Sequence, residues 1–253
     1  MTDPATLLAV GATGSIGRLV VARAVREGHA VRVLVRDAGR AGCFPPGVEL
    51  AVGDLTRADS LEAAVAGIDA VVFTHGTYGG GLDAARAVDY GGVRNVLAAL
   101  DGREARVALM TAIGVTDRKG AHDWKRRGER LLRASGLPYT IVRPGWFDYN
   151  TSAQRRLVML QGDRRQSGTP RDGVIARDQL AEILVRSLRS PAALRKTFEL
   201  VAENGPEPAD VEALFAALDP DAADALDGVH DMANMSLAGE PEQVQGDLKG
   251  VRA

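Results

Sequence analysis

Short apolar runs alternate with amphipathic stretches through the first half of the chain. Six of these runs, several of them rich in β-branched residues, are predicted to be strands, at residues 7–10, 30–35, 48–52, 70–73, 106–110 and 139–143. Helical patterns follow residue 17 and occupy residues 58–66, 83–100 and about 124–135. Strands that alternate with helices across short loops predict an α/β fold with one parallel, doubly wound sheet.

The pattern loosens after residue 150. Residues 150–172 are polar and rich in Arg and Gln, and no element is predicted there. Short strands are predicted at 173–175 and 198–201, with helices at 177–188 and about 209–218, followed by an acidic tail. We divide the chain into a core of residues 1–150 and a small cap of residues 151–253. Since we find no linker and no internal repeat, the cap is expected to interleave with the core and not to form an independent domain.

Composition narrows the class of protein. The 253 residues are 45% hydrophobic and carry a formal net charge of −2, which implies no general attraction to nucleic acid or to an anionic membrane. The single cysteine, Cys43, excludes an internal disulfide and fits a reducing compartment. No signal sequence and no apolar run of the ~18 residues that span a bilayer is evident, so we expect a cytoplasmic protein.

The turn between the first strand and the first helix carries the strongest chemical signal. It has the sequence Gly-Ala-Thr-Gly-Ser-Ile-Gly at residues 11–17. Gly11 suits a tight turn, Gly14 leaves room for a pyrophosphate, and Gly17 allows close packing of helix and strand. The helix start supplies free N–H groups and a positive dipole end. The predicted phosphate-binding set is Gly11, Thr13, Gly14, Ser15, Ile16 and Gly17; the alternative is a glycine-rich turn that binds nothing.

The residue after the second strand predicts which dinucleotide is bound. Arg36 lies 19 residues after Gly17, where an arginine accommodates the 2′-phosphate of NADP and a carboxylate would hold the ribose of NAD. Arg18 and Arg40 are near enough in sequence to assist. The alternatives are that Asp37 contacts the ribose instead, or that Arg36 merely covers a strand edge in solvent. We predict NADP(H) as the cofactor.

The other strand ends complete the predicted cofactor site, because ligands of open α/β sheets bind at the carboxyl ends of the strands. Asp54 and Leu55 are expected to lie against the adenine. The remaining predicted contacts are Thr74, His75 and Gly76 after the fourth strand, Thr111 and Ala112 after the fifth, and Pro144, Gly145, Trp146 and Phe147 after the sixth. His75 has an alternative as a structural or solvated histidine, and the two aromatic residues have one as plain core packing. Residues 78–81 are expected to form a mobile lip.

Taken together, these segments resemble the short-chain dehydrogenase/reductase superfamily, in its atypical branch with NmrA-like and flavin-reductase-like members. The resemblance covers about residues 5–204. It rests on the glycine turn, Arg36, Gly53-Asp54-Leu55, residues 89–95, residues 111–114, Lys125 with Glu129, and residues 139–145. It implies a Rossmann-like fold, an NAD(P)H cofactor and reductase chemistry.

Ordinary members of this superfamily use a Ser/Thr–Tyr–Lys set, in which the tyrosine stands four residues before the lysine and protonates the carbonyl oxygen. Lys125 matches the lysine, but the position four residues earlier is Ala121. Thr111 is the nearest hydroxyl after the fifth strand, and Asp89 stands where the family often has Asn. The resemblance therefore implies Lys125 and Thr111 as catalytic residues, with Lys125 also touching the cofactor, and no catalytic tyrosine.

Two alternatives bear on Lys125. The first is that it is one cation among several on a solvated helix face, beside Trp124 and Arg126-Arg127. The second is that another group supplies the proton. The candidates are Tyr149, His122, Asp117 and Asp123.

Three functions fit these residues. The first is an NADPH-dependent reductase of a small ketone or quinone, whose proton comes from water, from Lys125 or from a hydroxyl on the substrate. The second is a non-catalytic NADP(H) sensor of the NmrA-like type, which the missing tyrosine fits equally well. The third, a sugar-nucleotide epimerase, fits least well, because it requires the tyrosine and a larger substrate domain. We predict no metal site, and the oligomeric state stays open.

Overall fold

The six predicted apolar runs form the central part of one sheet in the computed structural model, which describes residues 5–77 and 79–251. The strands are β1 (Thr6–Val10), β2 (Ala30–Val35), β3 (Glu49–Val52), β4 (Ala70–Phe73), β5 (Arg106–Met110) and β6 (Tyr139–Pro144). They are parallel and lie in the order β3-β2-β1-β4-β5-β6. The predicted doubly wound parallel sheet is confirmed, and its carboxyl ends meet along one edge.

The second half of the chain extends this sheet. β10 (Lys196–Glu203) lies parallel to β6, with Thr197 opposite Ile141. β8 (Arg156–Leu160) and β9 (Val174–Ile175) pair antiparallel with β10, and β7 (Trp146–Phe147) pairs with β9. β8 lies in the stretch where no element was predicted. Only Leu157 of this strand is fully buried, so it lacks the clear alternation that identifies a strand from sequence.

Helices cover both faces of the sheet. They are α1 (Ser15–Arg26), α2 (Glu62–Val65), α3 (Gly81–Ala84), α4 (Gly91–Leu100), α5 (Ala121–Ala134), α6 (Arg177–Ser187), α7 (Val211–Ala216) and α8 (Glu242–Gly250). α1 and α6 contribute to one hydrophobic core, whereas α2, α4, α5 and α8 contribute to a second core on the opposite face. No helix within residues 5–77 and 79–251 is sufficiently long and apolar to cross a membrane.

Two helices predicted as continuous are interrupted. Residues 58–66 form a 3₁₀ turn (Ala58–Ser60) before α2. Residues 83–100 form α3, then a π-helical turn (Ala85–Tyr90), then α4. The π-helical turn buries Asp89 and Tyr90, and such wide turns are frequent at functional sites. Tyr78, in the predicted mobile lip, lies outside the described residues.

The acidic tail, for which no element was predicted beyond 209–218, packs along α5 and ends in α8. Its carboxylates meet arginines that α5 buries. Asp227 accepts hydrogen bonds from Arg126 Nε at 3.0 Å and from Arg130 Nη2 at 2.6 Å. Glu240 pairs with Arg127 at 2.5 Å. Because Arg126 is fully buried, the interpretation of this helix face as solvated is wrong.

Asp221 is the most enclosed carboxylate of the tail, and its replacement tests this packing. It accepts hydrogen bonds from Arg133 Nε at 3.1 Å, Tyr139 OH at 2.9 Å and Thr197 Oγ1 at 2.6 Å. We expect Asp221→Asn to lower the free energy of unfolding by about 3 kcal/mol, because it leaves buried arginine charge with one carboxylate fewer.

Urea unfolding followed by circular dichroism measures this loss. Asp224→Asn, an exposed position in the same tail, is the matched control and should change stability by less than about 0.5 kcal/mol. Equal stability of the two variants would contradict the tail's role as a neutralising cover.

Candidate active site

The glycine turn has the backbone geometry that its three glycines predict. Gly11 has a φ of 81°, and a Cβ there would lie 2.6 Å from the backbone N of His75. A Cβ on Gly17 would lie 2.2 Å from the carbonyl O of Gly11. Gly14 is exposed, and a Cβ there would lie 3.2 Å from the carbonyl O of Gly11, with no other near neighbour in the described part of the chain. Gly11 and Gly17 therefore set the fold of the turn, and Gly14 keeps its outer surface open.

The N-terminus of α1 fits a diphosphate. The first N–H groups of any helix lack intrahelical partners, and among the described residues no side chain caps those of α1 and no acidic residue lies in its first turn to compete for them. Thr13 and Ser15 are exposed at the mouth of the turn, whereas the side chain of Ile16 is buried in the core. Ile16 can therefore offer a ligand only its backbone N–H.

Sequence reasoning missed Arg177, the first residue of α6. Its Nε donates to Ser15 Oγ at 3.2 Å, and its guanidinium lies over the Phe147 ring at 5.3 Å. It also pairs with Asp148. No local motif marks this arginine, because its position depends on the packing of α6 against α1. Its partner Ser15 lies 162 residues earlier in the chain.

Arg36 and Asp54 are the residues predicted to contact the adenosine half of the cofactor. Arg36 is exposed, while Asp37 accepts a hydrogen bond from Gly39 N at 2.9 Å and so closes its own turn. Asp54 Oδ1 accepts from Thr56 N at 2.9 Å and from Thr56 Oγ1 at 2.8 Å. These hydrogen bonds, with a smaller effect of the Arg36 charge, hold the pKa of Asp54 below its usual range.

Leu55 is held in place from α4. Asn95 Nδ2 donates to the Leu55 carbonyl at 2.9 Å. A Cβ on Gly92 would lie 2.7 Å from Leu55 Cδ2 and 3.0 Å from His75 Nε2, so this glycine lets both side chains approach α4. Gly92 and Asn95 thereby bring the ends of β3 and β4 together.

Lys125 reaches the end of β4. Its Nζ donates to Asp89 Oδ1 at 3.1 Å, and Asp89 also accepts from Thr77 N at 3.0 Å and Thr77 Oγ1 at 2.7 Å. A Cβ on Gly76 would lie 3.2 Å from Lys125 Nζ. Four groups predicted from separate parts of the sequence, Gly76, Asp89, Ala121 and Lys125, are thus placed by β4, the π-helical turn and one face of α5. The Lys125 side chain is 15% exposed.

His75 is buried beside this lysine, so its interpretation as a solvated histidine is wrong. Burial, followed by the charge of Lys125, lowers the pKa of His75 to about 4, and the ring is neutral at neutral pH. Its Nδ1 has no hydrogen-bond partner among the described residues. His75, Asp89, Thr111 and Lys125 line a small cavity of about 10 Å³, roughly the room that one water molecule needs.

The Thr111 hydroxyl is engaged below the site. Its Oγ1 donates to Glu129 Oε1 at 2.7 Å, and both side chains are buried. Glu129 also accepts from Arg143 Nε at 3.0 Å and Nη2 at 2.7 Å. Because the Thr111 hydroxyl proton is donated to a carboxylate, Thr111 Oγ1 can form a hydrogen bond with a substrate in this arrangement only as an acceptor. Ala112, the next residue, is half-buried at the edge of the site.

The turn after β6 forms the last wall. Pro144 and Gly145 are buried, and a Cβ on Gly145 would lie 2.6 Å from the carbonyl O of Gly173. Trp146 is 37% exposed and meets Tyr149 edge-to-face at a ring distance of 6.0 Å. Phe147 is half-buried against the core. Of the two predicted aromatic residues, Trp146 is therefore the one available to a ligand, and Phe147 divides its contacts between the core and Arg177.

Of the four other candidate proton donors, Tyr149 is exposed away from the cavity beside Lys125, and the remaining three have partners in their own loop. His122 Nδ1 lies 3.2 Å from the Gly114 carbonyl, and Asp117 accepts from Lys119 N at 2.9 Å. Asp123 pairs with Arg118 at 3.2 Å. None of the three lines the cavity beside Lys125.

Comparison with known proteins identifies the family and the fold. A family model described as NAD(P)H-binding matches residues 11–191. The chain is 28% identical over 206 residues to the photosystem II assembly factor Ycf39 of Trieres chinensis, covering 79% of this chain and 65% of that protein. It is 27% identical over 261 residues to sanguinarine reductase of Eschscholzia californica, covering 83% of this chain and 95% of the enzyme.

Solved structures share the fold. A putative NAD-dependent epimerase/dehydratase from Bacillus halodurans superposes with a TM-score of 0.70 at 22% identity, covering 85% of this chain and all of the other. The fold and the site therefore define a nucleotide-binding α/β protein of the Rossmann type.

The chain belongs to the NAD(P)H-binding family, which confirms the resemblance to atypical short-chain dehydrogenases/reductases. NAD(P)H is its cofactor, and its general chemical class is that of the oxidoreductases.

Arg143, which pairs with Glu129 beneath Thr111, also pairs with Glu199 of β10 at 3.3 Å. This carboxyl group has an unusual pKa. Burial raises the pKa of Glu199 to about 8, although Arg143 opposes this rise. Between the ordinary value of 4.5 and about 8, the folded protein holds a proton that the unfolded chain releases. This group therefore makes the free energy of unfolding fall as pH rises through that window, by at most about 1.4 kcal/mol per pH unit.

Glu199→Gln tests this, because glutamine keeps the shape and cannot titrate. We expect the unfolding free energy of the wild type to decline relative to the variant between pH 5 and 8, measured by urea unfolding in a series of buffers. Glu62→Gln, at an exposed position of α2, is the control and should follow the wild-type profile. Parallel profiles for Glu199→Gln and the wild type would show that Glu199 is ionised across this range.

Proposed function

We propose that the protein is an NADPH-dependent reductase of a small ketone or quinone that works without the usual catalytic tyrosine. The observation that carries the proposal is the placement of Lys125, which projects from α5 to the end of β4 and is fixed there by Asp89. Gly76, whose Cα region adjoins Lys125 Nζ, is exposed and leaves the surface beside the lysine open. The reductase named among the relatives supports the same class of chemistry.

When bound, NADPH supplies the hydride. The residues of this chain bind and orient the two reactants. The glycine turn and the start of α1 would receive the diphosphate, Pro144 and Gly145 would shape the turn at the nicotinamide end, and Trp146 would offer a flat wall to the substrate. Positioning of this kind is worth ~7–11 kcal/mol of an activation barrier.

We assign the proton to Lys125. Ala121 opens α5 one turn before it and cannot donate. The ammonium group is held at a defined place by Asp89, and the small cavity between Lys125, His75 and Thr111 has room for one water. A water there would accept from the ammonium group and relay its proton. A substrate whose own hydroxyl bonds its carbonyl would need neither group.

The NADP preference rests on the surroundings of Arg36. Asp37, the competing ribose ligand, is occupied by Gly39 N. Arg36 is exposed and lies close enough to Asp54 for its charge to act on that carboxyl. A guanidinium in this position would meet the 2′-phosphate as a bidentate donor.

Turnover of a panel of quinones and aromatic ketones, followed by the loss of reduced-nicotinamide absorbance, tests the function. We expect Lys125→Met to lower kcat by about 10²-fold or more, as the loss of a general acid does, with less than about a tenfold change in the Kd for NADPH. Lys119→Met, an exposed lysine six residues earlier, is the control and should retain turnover.

Each alternative has its own result. Undiminished turnover in Lys125→Met would transfer the proton to water or to a substrate hydroxyl. Tight NADPH binding without turnover of any compound would replace the reductase with the NADP(H) sensor.

The cofactor preference has a separate test by calorimetry. Arg36→Ala should raise the Kd for NADPH by roughly 10–100-fold, the range for a lost charged hydrogen bond, and leave the Kd for NADH within about threefold. Arg26→Ala, an exposed arginine at the end of α1, is the control and should bind both as the wild type does. An equal loss for both dinucleotides would refute the phosphate contact.

A further inference from the structure

A second, larger cavity opens beside the turn after β6. Its volume is about 420 Å³, within the range of ~300–1,000 Å³ that small-molecule sites occupy. We call it the arginine pocket. The residues that matter for its chemistry are Tyr149, Arg165, Arg171, Gly173, Val201 and Glu203.

The charge of the arginine pocket is positive. Arg171 is exposed and forms no ion pair with any described residue. Arg165 lies 3.8 Å from Glu203, which already pairs with Arg156 at 2.7 Å. One carboxylate thus faces more than one guanidinium, and the pocket retains positive charge for a ligand.

The loop that carries both arginines is fixed in advance. Asp172 is buried and accepts hydrogen bonds from Ser167 N and Gly168 N, both at 2.8 Å. Thr169 Oγ1 accepts from Arg171 N at 3.3 Å. A ligand that binds here does not have to order the backbone, and preorganisation of this kind increases affinity.

The arginine pocket adjoins the turn after β6, which is predicted to contact the nicotinamide. Trp146 N donates to the Gly173 carbonyl at 2.9 Å, and Gly173 lines the pocket. Tyr149, a second lining residue, meets the Trp146 ring edge-to-face. Its other walls include the apolar side chain of Val201. A flat compound lying against Trp146 would extend towards the two guanidinium groups.

We propose that the arginine pocket binds the carboxylate or sulfonate of a planar aromatic carbonyl compound, which makes the substrate of this enzyme an anion. Only the statement that this anion is a substrate rests on the proposed reductase function. The binding of an aromatic anion at this place stands without it. Arg165 and Arg171 hold the anionic group, and Tyr149 and Val201 contact the ring system.

Calorimetry with protein saturated with NADP⁺ tests the binding directly, using 2-naphthoate and the uncharged 2-naphthamide. We expect the anion to bind about tenfold more tightly, and Arg165→Gln/Arg171→Gln to remove this difference. Arg164→Gln, an exposed arginine of the same loop that does not line the pocket, is the matched control and should keep it. Equal affinities in the wild type, or a preference that survives in the double variant, would overturn the proposal.

Turnover then separates the two proposals. With 1,2-naphthoquinone and its 4-sulfonate, the double variant should raise KM for the sulfonate by about tenfold and leave KM for the neutral quinone within about twofold. If neither quinone is reduced but the charge preference in calorimetry depends on the two arginines, the reductase proposal fails and the anion site stands. If both quinones are reduced with the same KM in wild type and variant, the reductase stands and the anion site is refuted.

Discussion

Arg143 has no exposed surface, and the way in which the chain neutralises it determines how the rest of the molecule is assembled. Its guanidinium donates to Glu129 on α5, to Glu199 on β10 and to Asp231 in the C-terminal tail, at distances of 2.7–3.3 Å. A buried charge left without partners would cost several kcal/mol. Glu129 and Asp231 supply the charge that offsets the guanidinium, and Glu199, which burial keeps protonated at neutral pH, supplies a hydrogen-bond acceptor. The side chain at the end of β6 can therefore be buried only when α5, β10 and the tail are all in place.

This constraint extends to the site through α5. Glu129 accepts from Arg143 and from Thr111, and Lys125 lies one turn before it on the same helix. On its other side, α5 is held by the tail through Arg126 and Arg130. A helix fixed on both sides presents Lys125 to the end of β4 with little freedom. The ion network therefore positions the lysine without contacting a ligand.

The parts of the fold that depend on local sequence were predicted, and the parts that depend on distant partners were not. The glycine turn and the six strands were found because each carries its own signal over a few residues, whereas Lys125 was singled out only through the resemblance to the family. The arginines of α5 were open to interpretation as a solvated face because their partners lie far along the chain. Asp227 is 101 residues beyond Arg126. Composition alone does not distinguish a solvated arginine from one that a remote carboxylate neutralises.

The same reasoning explains why the two halves of the site differ. The proposed cofactor half consists mainly of backbone, with free N–H groups and glycines at defined positions, and a short motif encodes it. The segment of residues 150–172 is polar because it supplies an edge strand, a buried loop-holding carboxylate at Asp172, and exposed arginines. Since Asp172 holds the loop through backbone N–H groups, the side chains at 165 and 171 are free to vary without loss of the loop. On the proposed assignment, substitution at these two positions changes substrate choice, while the glycine turn and the network around Arg143 preserve the proposed cofactor site and the position of Lys125.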